Sequence, residues 1–295
     1  MRYKIFYLIF IPVMAFSQGT SIGVSSLTLP ITPFIASTAD AFVADPISLQ
    51  SELNNPANIA SHGCYRSIFS HTSWFQDTQT EYLAFLAPFQ IGSFSLSIIS
   101  TSIDGIEIRE IPGPAQGTFD YQSTIFQLTY GTEITQSIHI GLASKYIYEK
   151  IFVDDAIGYG FDMGLIYSPS IDGLTFGCSI LDIGHMQAFQ KRDSNLPTHT
   201  QIGGTYSFTY ESFRIRIASS ISNTFKTGIS HLHFGTDAWY NNVFGIRIGY
   251  KTNNDLIRLT AGIAFQYSIL EIDYAYVPFF QQFGNGHIIS VGFSL

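Results

Sequence analysis

Apolar and polar residues alternate with a period of two along most of the chain after residue 64. In the stretch GYGFDMGLIY (158–167), Phe161 and Leu165 share one parity, while Asp162 and Gly164 share the other. A period of two places successive side chains on opposite faces of a β-strand. Fourteen segments carry this pattern and predict strands, at about 64–75, 79–88, 91–100, 119–130, 134–148, 158–167, 174–183, 199–210, 213–221, 231–240, 243–250, 256–267, 270–277 and 287–295.

The two faces of these strands differ in an unusual way. The apolar faces are crowded with Phe, Tyr and Leu, and the polar faces carry mostly Gly, Ser, Thr and Ala. Many of the strands approach the ~9–11 residues that a tilted strand needs to cross a membrane. Aromatic residues recur at strand ends, where an interfacial girdle would lie: Tyr130, Tyr148, Tyr167, Tyr210 and Tyr250. We therefore expect an all-β protein, a transmembrane antiparallel β-barrel of about 14 strands. A secreted β-sandwich is the alternative.

The connections between the strands alternate between short and long. The segments 211–212 and 268–269 leave room only for tight turns, whereas 101–118, 149–157 and 184–198 predict longer loops. Outer-membrane barrels have short periplasmic turns and longer extracellular loops. This asymmetry predicts a location in the outer membrane of a Gram-negative-type bacterium, with membrane lipid as one partner.

Composition supports export and argues against nucleic-acid binding. The 295-residue chain is 46% hydrophobic and only 12% charged. Residues 1–17 read as a signal peptide, with Arg2 and Lys4 before an apolar run and small residues ahead of Gln18. Without that segment, 12 basic and 22 acidic residues remain, a net charge of −10. Nucleic-acid partners require a basic face, so we expect none.

The predicted organisation has three parts: a signal peptide (1–17), an N-terminal periplasmic or plug segment (18–63) and an outer-membrane β-barrel (64–295). The second part contains the corner Asn55-Pro56-Ala57. Pro56 fixes its own φ and biases Asn55 towards extended geometry, and apolar residues follow directly. We expect residues 36–60 to lie inside or beneath the barrel as a plug.

The segment STADAFVADPISLQSELNNPANIAS (37–61) resembles the N-terminal segment of the PorV/PorQ family and, more distantly, of FadL-type hydrocarbon and fatty-acid channels. GFDMGLIYSP (160–169) and GTDAWYNNVFGIRIGYKT (235–252) resemble later strands of PorV/PorQ proteins, in the same order. The resemblance implies that the Asn-Pro-Ala segment enters the barrel from the periplasm and fills its lower part.

The same resemblance implies a function. PorV-type proteins belong to the type IX secretion system and take cargo by its C-terminal domain, and PorQ-type proteins are accessory members. We expect a non-enzymatic barrel that binds secretion-system proteins or cargo C-terminal domains through extracellular loops. The alternative is a FadL-like channel with a hydrophobic small-molecule ligand.

Charged residues on the polar faces are the candidate lumen charges. They number seven: Lys145, Asp162, Arg214, Arg216, Arg247, Glu271 and Asp273. Either they form an ion-pair network across the lumen, or they line a selective path for a solute.

Candidate chemistry is otherwise sparse. His231 and His233 share one strand face, a spacing usable for metal, but no third ligand is identifiable. We therefore expect no metal, no cofactor and no enzymatic activity. Cys64 and Cys178 could form a disulfide or remain buried thiols.

Overall fold

A computed structural model describes residues 25–46, 48–61, 63–109, 113–187, 194–254, 257–280 and 284–295. The expected signal peptide at 1–17 lies outside these residues. Ahead of the strands stand a short helix α1 (Pro33–Ser37) and three 3-10 helices, Ser25–Thr28, Leu49–Leu53 and Pro56–Ile59. No helix in the described part of the chain is long and apolar enough to cross a membrane.

Fifteen strands follow within the described residues. They are β1 (Arg66–Ser73), β2 (Thr78–Phe89), β3 (Gly92–Ile108), β4 (Gly117–Thr135), β5 (Ile138–Ile151), β6 (Asp154–Tyr167), β7 (Leu174–Met186), β8 (Ser194–Asn195), β9 (His199–Tyr210), β10 (Phe213–Thr224), β11 (Ser230–Tyr240), β12 (Phe244–Lys251), β13 (Leu259–Tyr267), β14 (Leu270–Pro278) and β15 (Asn285–Ser294).

Fourteen of these strands form one closed antiparallel barrel. Each pairs with its neighbours in sequence, β7 pairs with β9, and β1 pairs with β15 to close the sheet. The two-residue β8 is an addition beside the end of β7. The prediction of an all-β, 14-strand antiparallel barrel is confirmed.

The alternation places apolar side chains outside the barrel. Phe161 and Leu165 on β6 are 56% and 43% exposed, whereas Asp162 between them is 1% exposed. Exposed Phe, Tyr, Leu and Ile side chains recur in the same way around the outer wall. A wall that is apolar outside and polar inside suits a bilayer, because lipid contacts the outer face.

The two ends of the barrel differ less than the sequence suggested. Turns of two residues join β9 to β10 and β13 to β14 at one end, as expected. At the other end, a longer loop was expected at 149–157, but Phe152 and Val153 alone join β5 to β6. That expectation was wrong because Phe152 adopts a φ of 57°, which allows a tight turn without glycine.

The expected long loop at 101–118 is largely strand. β3 and β4 continue past the points where β2 and β5 stop, with Ile106 paired to Phe119 and Ile108 to Gly117. We call residues 104–109 and 113–120 the projecting hairpin. Its apolar side chains lie at inward-facing positions. Asp120, at an outward-facing position, is exposed. This reversal of the wall pattern makes the outward face of the hairpin unsuited to contact with lipid.

Candidate functional site

The N-terminal segment, residues 31–46 and 48–60, packs against the inner face of the barrel. Nearly all of its side chains are buried. Helix α1 contacts β12–β15, and the 3-10 helix Pro56–Ile59 contacts β3–β6. On one side, the Thr260 hydroxyl donates to the Ser37 carbonyl at 3.1 Å. The candidate site is therefore the inner surface of the barrel together with this segment.

The Asn-Pro-Ala corner begins a helix and also contacts the barrel wall. Asn55 is the N-cap: its side-chain oxygen accepts from the Ala57 amide at 3.0 Å. Its amide nitrogen donates to the Val43 carbonyl at 2.8 Å and to the Leu165 carbonyl of β6 at 3.2 Å. Asn55 thus joins two parts of the N-terminal segment to a strand 110 residues away in sequence.

Two wall glycines make room for this corner. A Cβ added at Gly141 of β5 would lie 2.2 Å from the carbonyl carbon of Pro56, and one at Gly164 would lie 1.8 Å from the Asn55 side-chain oxygen. Neither distance is tolerable for a real side chain. The small residues on the inward face are therefore required by the close approach of the N-terminal segment.

Five charged side chains form what we call the central ion-pair network. Arg216 contacts Asp45 of the N-terminal segment at 2.5 Å and Asp237 at 2.6 Å. Arg247 contacts Asp237 at 2.9 Å and Asp273 at 2.6 Å. All five are at most 2% exposed. Because each carboxylate is held by a guanidinium, the network satisfies charges that would otherwise be costly to bury.

Aromatic rings from the N-terminal segment cover this network. The Arg216 guanidinium lies 5.4 Å from the Phe34 ring and 5.1 Å from the Phe42 ring, and Arg247 lies 4.9 Å from Phe34. The Gln50 amide donates to Asp273 at 2.6 Å. The segment therefore contributes a carboxylate, an amide and two rings to charges on the barrel wall.

Lys145 and Asp162 belong to a separate buried cluster. The Lys145 ammonium contacts Asp162 at 2.9 Å and Asp182 at 2.5 Å. Asp182 sits at a register shift between β6 and β7, with a φ of 58°. Its backbone amide donates to Asp162 at 2.8 Å. The irregularity turns a second carboxylate towards Lys145.

The two remaining candidate charges lie beside the central network. Glu271 is 3.9 Å from Arg247. Arg214 lies 5.5 Å from the Trp239 ring, and it joins no ion pair within the described residues. Of the seven candidate charges, five therefore belong to the two buried groups centred on Arg216–Arg247 and on Lys145.

A cavity of about 370 Å³, which we call the outer cavity, opens at the end with the longer loops. Its polar wall includes Asp40, Lys251 and His233, and its apolar wall includes Phe75 and Phe279. Burial raises the pKa of Asp40, but Lys251, 3.0 Å away, and His233 lower it more, so the pKa lies below its ordinary value. Asp40 is therefore ionised at neutral pH.

His231 and His233 do not converge on a common point. His231 Nδ1 lies 2.9 Å from the Thr252 carbonyl. His233 Nδ1 lies 2.7 Å from the Ala39 carbonyl, and its Nε2 lies 2.8 Å from the Ser222 hydroxyl. These three ring nitrogens therefore contact protein groups, and one of those groups, the Ala39 carbonyl, belongs to the N-terminal segment.

A second cavity of about 310 Å³, the inner cavity, lies near the β6–β7 turn at the other end. Asp45 and Arg216 line it, together with Pro169 and Ile171. The two cavities thus lie on opposite sides of the central ion-pair network.

Cys64 and Cys178 are free thiols.

Sequence reasoning missed several residues of the site. Asp237 and Lys251 occupy the inward parity of β11 and β12 and could have been found by extending the alternation. Asp182 could not, because the register shift interrupts the alternation there. Asp40 and Asp45 lie outside any strand, so no periodicity marks them.

Comparison with known proteins identifies the fold but no family. No family model matches the chain, and no curated protein matches it. Among solved structures, the toluene transporter TodX of Pseudomonas putida shares 9% identity, covering 96% of this chain and 99% of its own, with a TM-score of 0.63. The TodX monoaromatic hydrocarbon channel deltaS2 mutant shares 10% identity over 88% and 98%, with a TM-score of 0.56. The outer membrane protein Omp33 of Acinetobacter baumannii shares 7% over 79% and 98%, with a TM-score of 0.47.

The closed strand order, the apolar outer wall and the likeness in fold to TodX define the class. The chain has the fold of an outer-membrane β-barrel.

Proposed function

We propose that this protein is a closed, non-enzymatic outer-membrane barrel of the PorV/PorQ type that binds protein partners of the type IX secretion system at the cell surface. The observation that carries the proposal is the buried contact between Asp45 of the N-terminal segment and Arg216 of the wall. A segment held by buried ion pairs on the inner face acts as a plug, which is unsuited to free diffusion of solutes.

The projecting hairpin supports a role in binding partners. It extends beyond the neighbouring strands at the end assigned to the cell exterior by loop length. Past Ile103 and Asp120, no barrel strand of the described residues lies beside its backbone edges, and open edges can accept a further strand. Ile106 and Phe119 add an apolar surface. The resemblance of the segment around Asn55-Pro56-Ala57 to PorV/PorQ proteins supports the assignment to that family among outer-membrane barrels.

The proposal is tested first by conductance. The intact protein in a planar bilayer should show almost no ion current, and a variant lacking residues 36–60 should conduct. Porin-like conductance of the intact protein would contradict closure by the N-terminal segment.

The partner role is tested in the source bacterium. Deleting the gene should leave proteins that carry type IX C-terminal domains in the periplasm. A variant in which residues 105–118 are replaced by a two-residue turn should insert into the membrane but fail to restore secretion. A control with a changed Asn241–Asn242 turn, at the opposite end of the barrel, should restore it. Normal secretion after gene deletion would refute the role.

A second candidate is a channel for small hydrophobic molecules. The observation that favours it is the pair of cavities on opposite sides of the central network, and the fold likeness to TodX, a toluene transporter, supports it. Vesicles containing the protein should then take up labelled toluene faster than protein-free vesicles. Equal rates, together with failed secretion in the deletion strain, would favour the partner-binding function.

A further inference from the structure

The lipid-facing wall of the barrel carries a histidine–glutamate pair. His71 of β1 and Glu81 of β2 are directly opposite each other, and His71 Nδ1 lies 2.6 Å from Glu81 Oε1. Both side chains are partly exposed, at 40% and 42%. They stand at outward-facing positions, like Phe69 and Leu83 next to them, which are 48% and 51% exposed. The pair therefore does not belong to the polar inner surface.

Comparison with other strands places this pair within the apolar band. Glu81 lies eight residues from Phe89, which ends β2 beside the β2–β3 turn. With a rise of ~3.3 Å per residue and a tilt of ~40°, this corresponds to ~20 Å, less than the ~25 Å height of an apolar band. Six other strands have an exposed apolar or aromatic residue eight positions from the same end: Tyr146, Tyr159, Ile202, Ile221, Leu232 and Leu259. Glu81 thus lies at a height where these strands contact lipid.

Four further polar residues adjoin the pair on the same face of the wall. Neighbouring residues on β1, β2 and β3 are directly opposite each other, so their side chains are within reach of one another. We call the six residues the outer-wall patch: His71, Glu81 and Ser100 in one row, and Ser73, Gln79 and Ser102 in the next. All six face outwards and none is fully buried.

The chemistry of the outer-wall patch favours contact with protein over contact with lipid. Acyl chains offer no hydrogen bonds, and ionisable side chains on a membrane-facing surface are costly without partners. Lipid phosphate groups are equally unsuited, because the patch contains a carboxylate and no Lys or Arg. Where membrane proteins contact each other within the bilayer, small residues allow close approach and polar side chains form hydrogen bonds across the contact. Three serines and three larger polar residues fit that description.

We propose that the outer-wall patch is the contact between two copies of this chain in the membrane. In a two-fold contact the same surface of both copies meets, so every group must find its complement within the same patch. The outer-wall patch meets this condition, because His71 of one copy faces the partner's Glu81, and conversely. The serine hydroxyls and the Gln79 amide both donate and accept hydrogen bonds, so they are self-complementary as well.

This contact has a consequence for the outer end of the barrel. Strand β3 carries part of the patch and continues into the projecting hairpin, which begins at Asp104, two residues after Ser102. Pairing at the patch therefore brings two projecting hairpins to the same side of the assembly. The inference goes beyond the proposed function, because the contact forms whether the barrel binds proteins or conveys a solute.

Counting subunits in a membrane is the first test. The full-length protein, with one fluorophore on each chain, is reconstituted at high dilution in vesicles of phosphatidylethanolamine and phosphatidylglycerol, and bleaching steps are counted. We expect two steps per particle. The double variant His71→Leu/Glu81→Leu should show one step, because leucine suits lipid and the complementary pair is lost. Ser219→Leu replaces an exposed, outward-facing serine on β10 and should still show two.

A second variant separates loss of the contact from loss of folding. Ser100→Trp adds bulk to the patch without introducing a charge, and tryptophan is well accepted on the outer wall of a barrel. It should also show a single bleaching step. Heat-modifiable gel mobility checks that each variant is folded.

Cross-linking locates the contact on the wall. With Cys64 and Cys178 replaced by serine, Ser100→Cys should form a dimer with a bifunctional maleimide in the same vesicles, and Ser219→Cys should not. Single bleaching steps for the wild type would overturn the proposal, as would dimers that persist in both patch variants or that cross-link only at Ser219→Cys. Cross-linking of Ser100→Cys only to a different protein, in outer membranes of the source bacterium, would also overturn it and assign the patch to that protein.

Discussion

Gly141→Ala tests the contact between the Asn-Pro-Ala corner and the wall with the smallest possible change. The added methyl carbon would lie 2.2 Å from the Pro56 carbonyl carbon and 2.3 Å from the Ala57 nitrogen. Ordinary contact begins at 3.4 Å, so the shortfall is about 1 Å. Both obstructing atoms are backbone, which means that no side-chain rotation relieves the overlap.

The expected cost follows from this geometry. Overpacking of a well-packed interior costs about 1–3 kcal/mol of unfolding free energy. The strand is fixed by hydrogen bonds to both neighbours, so the corner is the part that moves. Displacing it also strains the hydrogen bond from Asn55 to the Leu165 carbonyl, and the N-terminal segment should become accessible to protease.

Gly292→Ala is the matched control. Gly292 is also a buried wall glycine, on β15, but a Cβ there would meet its nearest atom at 3.5 Å. Both variants are reconstituted in vesicles, and both urea unfolding and protease cleavage within residues 31–60 are measured. Gly141→Ala should unfold at lower urea and be cleaved faster, and Gly292→Ala should match the wild type. If both variants match the wild type, the corner does not contact β5 as described.

Three further outcomes follow from the structure. Phe161→Arg places a charge on the lipid-facing wall and should cost ~2–4 kcal/mol, seen as a smaller folded fraction by heat-modifiable gel mobility, whereas Phe161→Leu should fold normally. Arg216→Met leaves Asp45 without its guanidinium and should cost about 3–5 kcal/mol in urea unfolding, while Arg109→Met, in an exposed pair with Glu107, should change little; equal effects would contradict the network. Because the pKa of Asp40 is lowered by Lys251, His233 and His199 despite burial, its contribution to stability is present above the unfolded pKa of about 4 and is lost as pH falls through the folded value. Stability measured from neutral to acidic pH should fall less in Asp40→Asn than in the wild type over that window, and parallel curves would refute the assignment.

Local pattern determined the wall of this barrel. Side chains alternate strictly between the two faces of a strand. When one face contacts lipid, the sequence therefore records which residues point outward and which point inward. That is why Phe161 and Asp162 could be assigned to opposite faces, and why 14 strands could be counted. The Asn-Pro-Ala corner was also visible, since Pro56 restricts the backbone locally.

Tertiary structure decided where strands end and which charges meet. The φ of Phe152 and the continuation of β3 and β4 past their neighbours have no marker in the alternation, so two expected loops became a turn and a hairpin. The inward parity of Arg216 was readable from sequence, but its partner Asp45 lies 171 residues away outside any strand. Closure of the barrel brings such residues together, and no local periodicity records a contact made only when the sheet closes around the N-terminal segment.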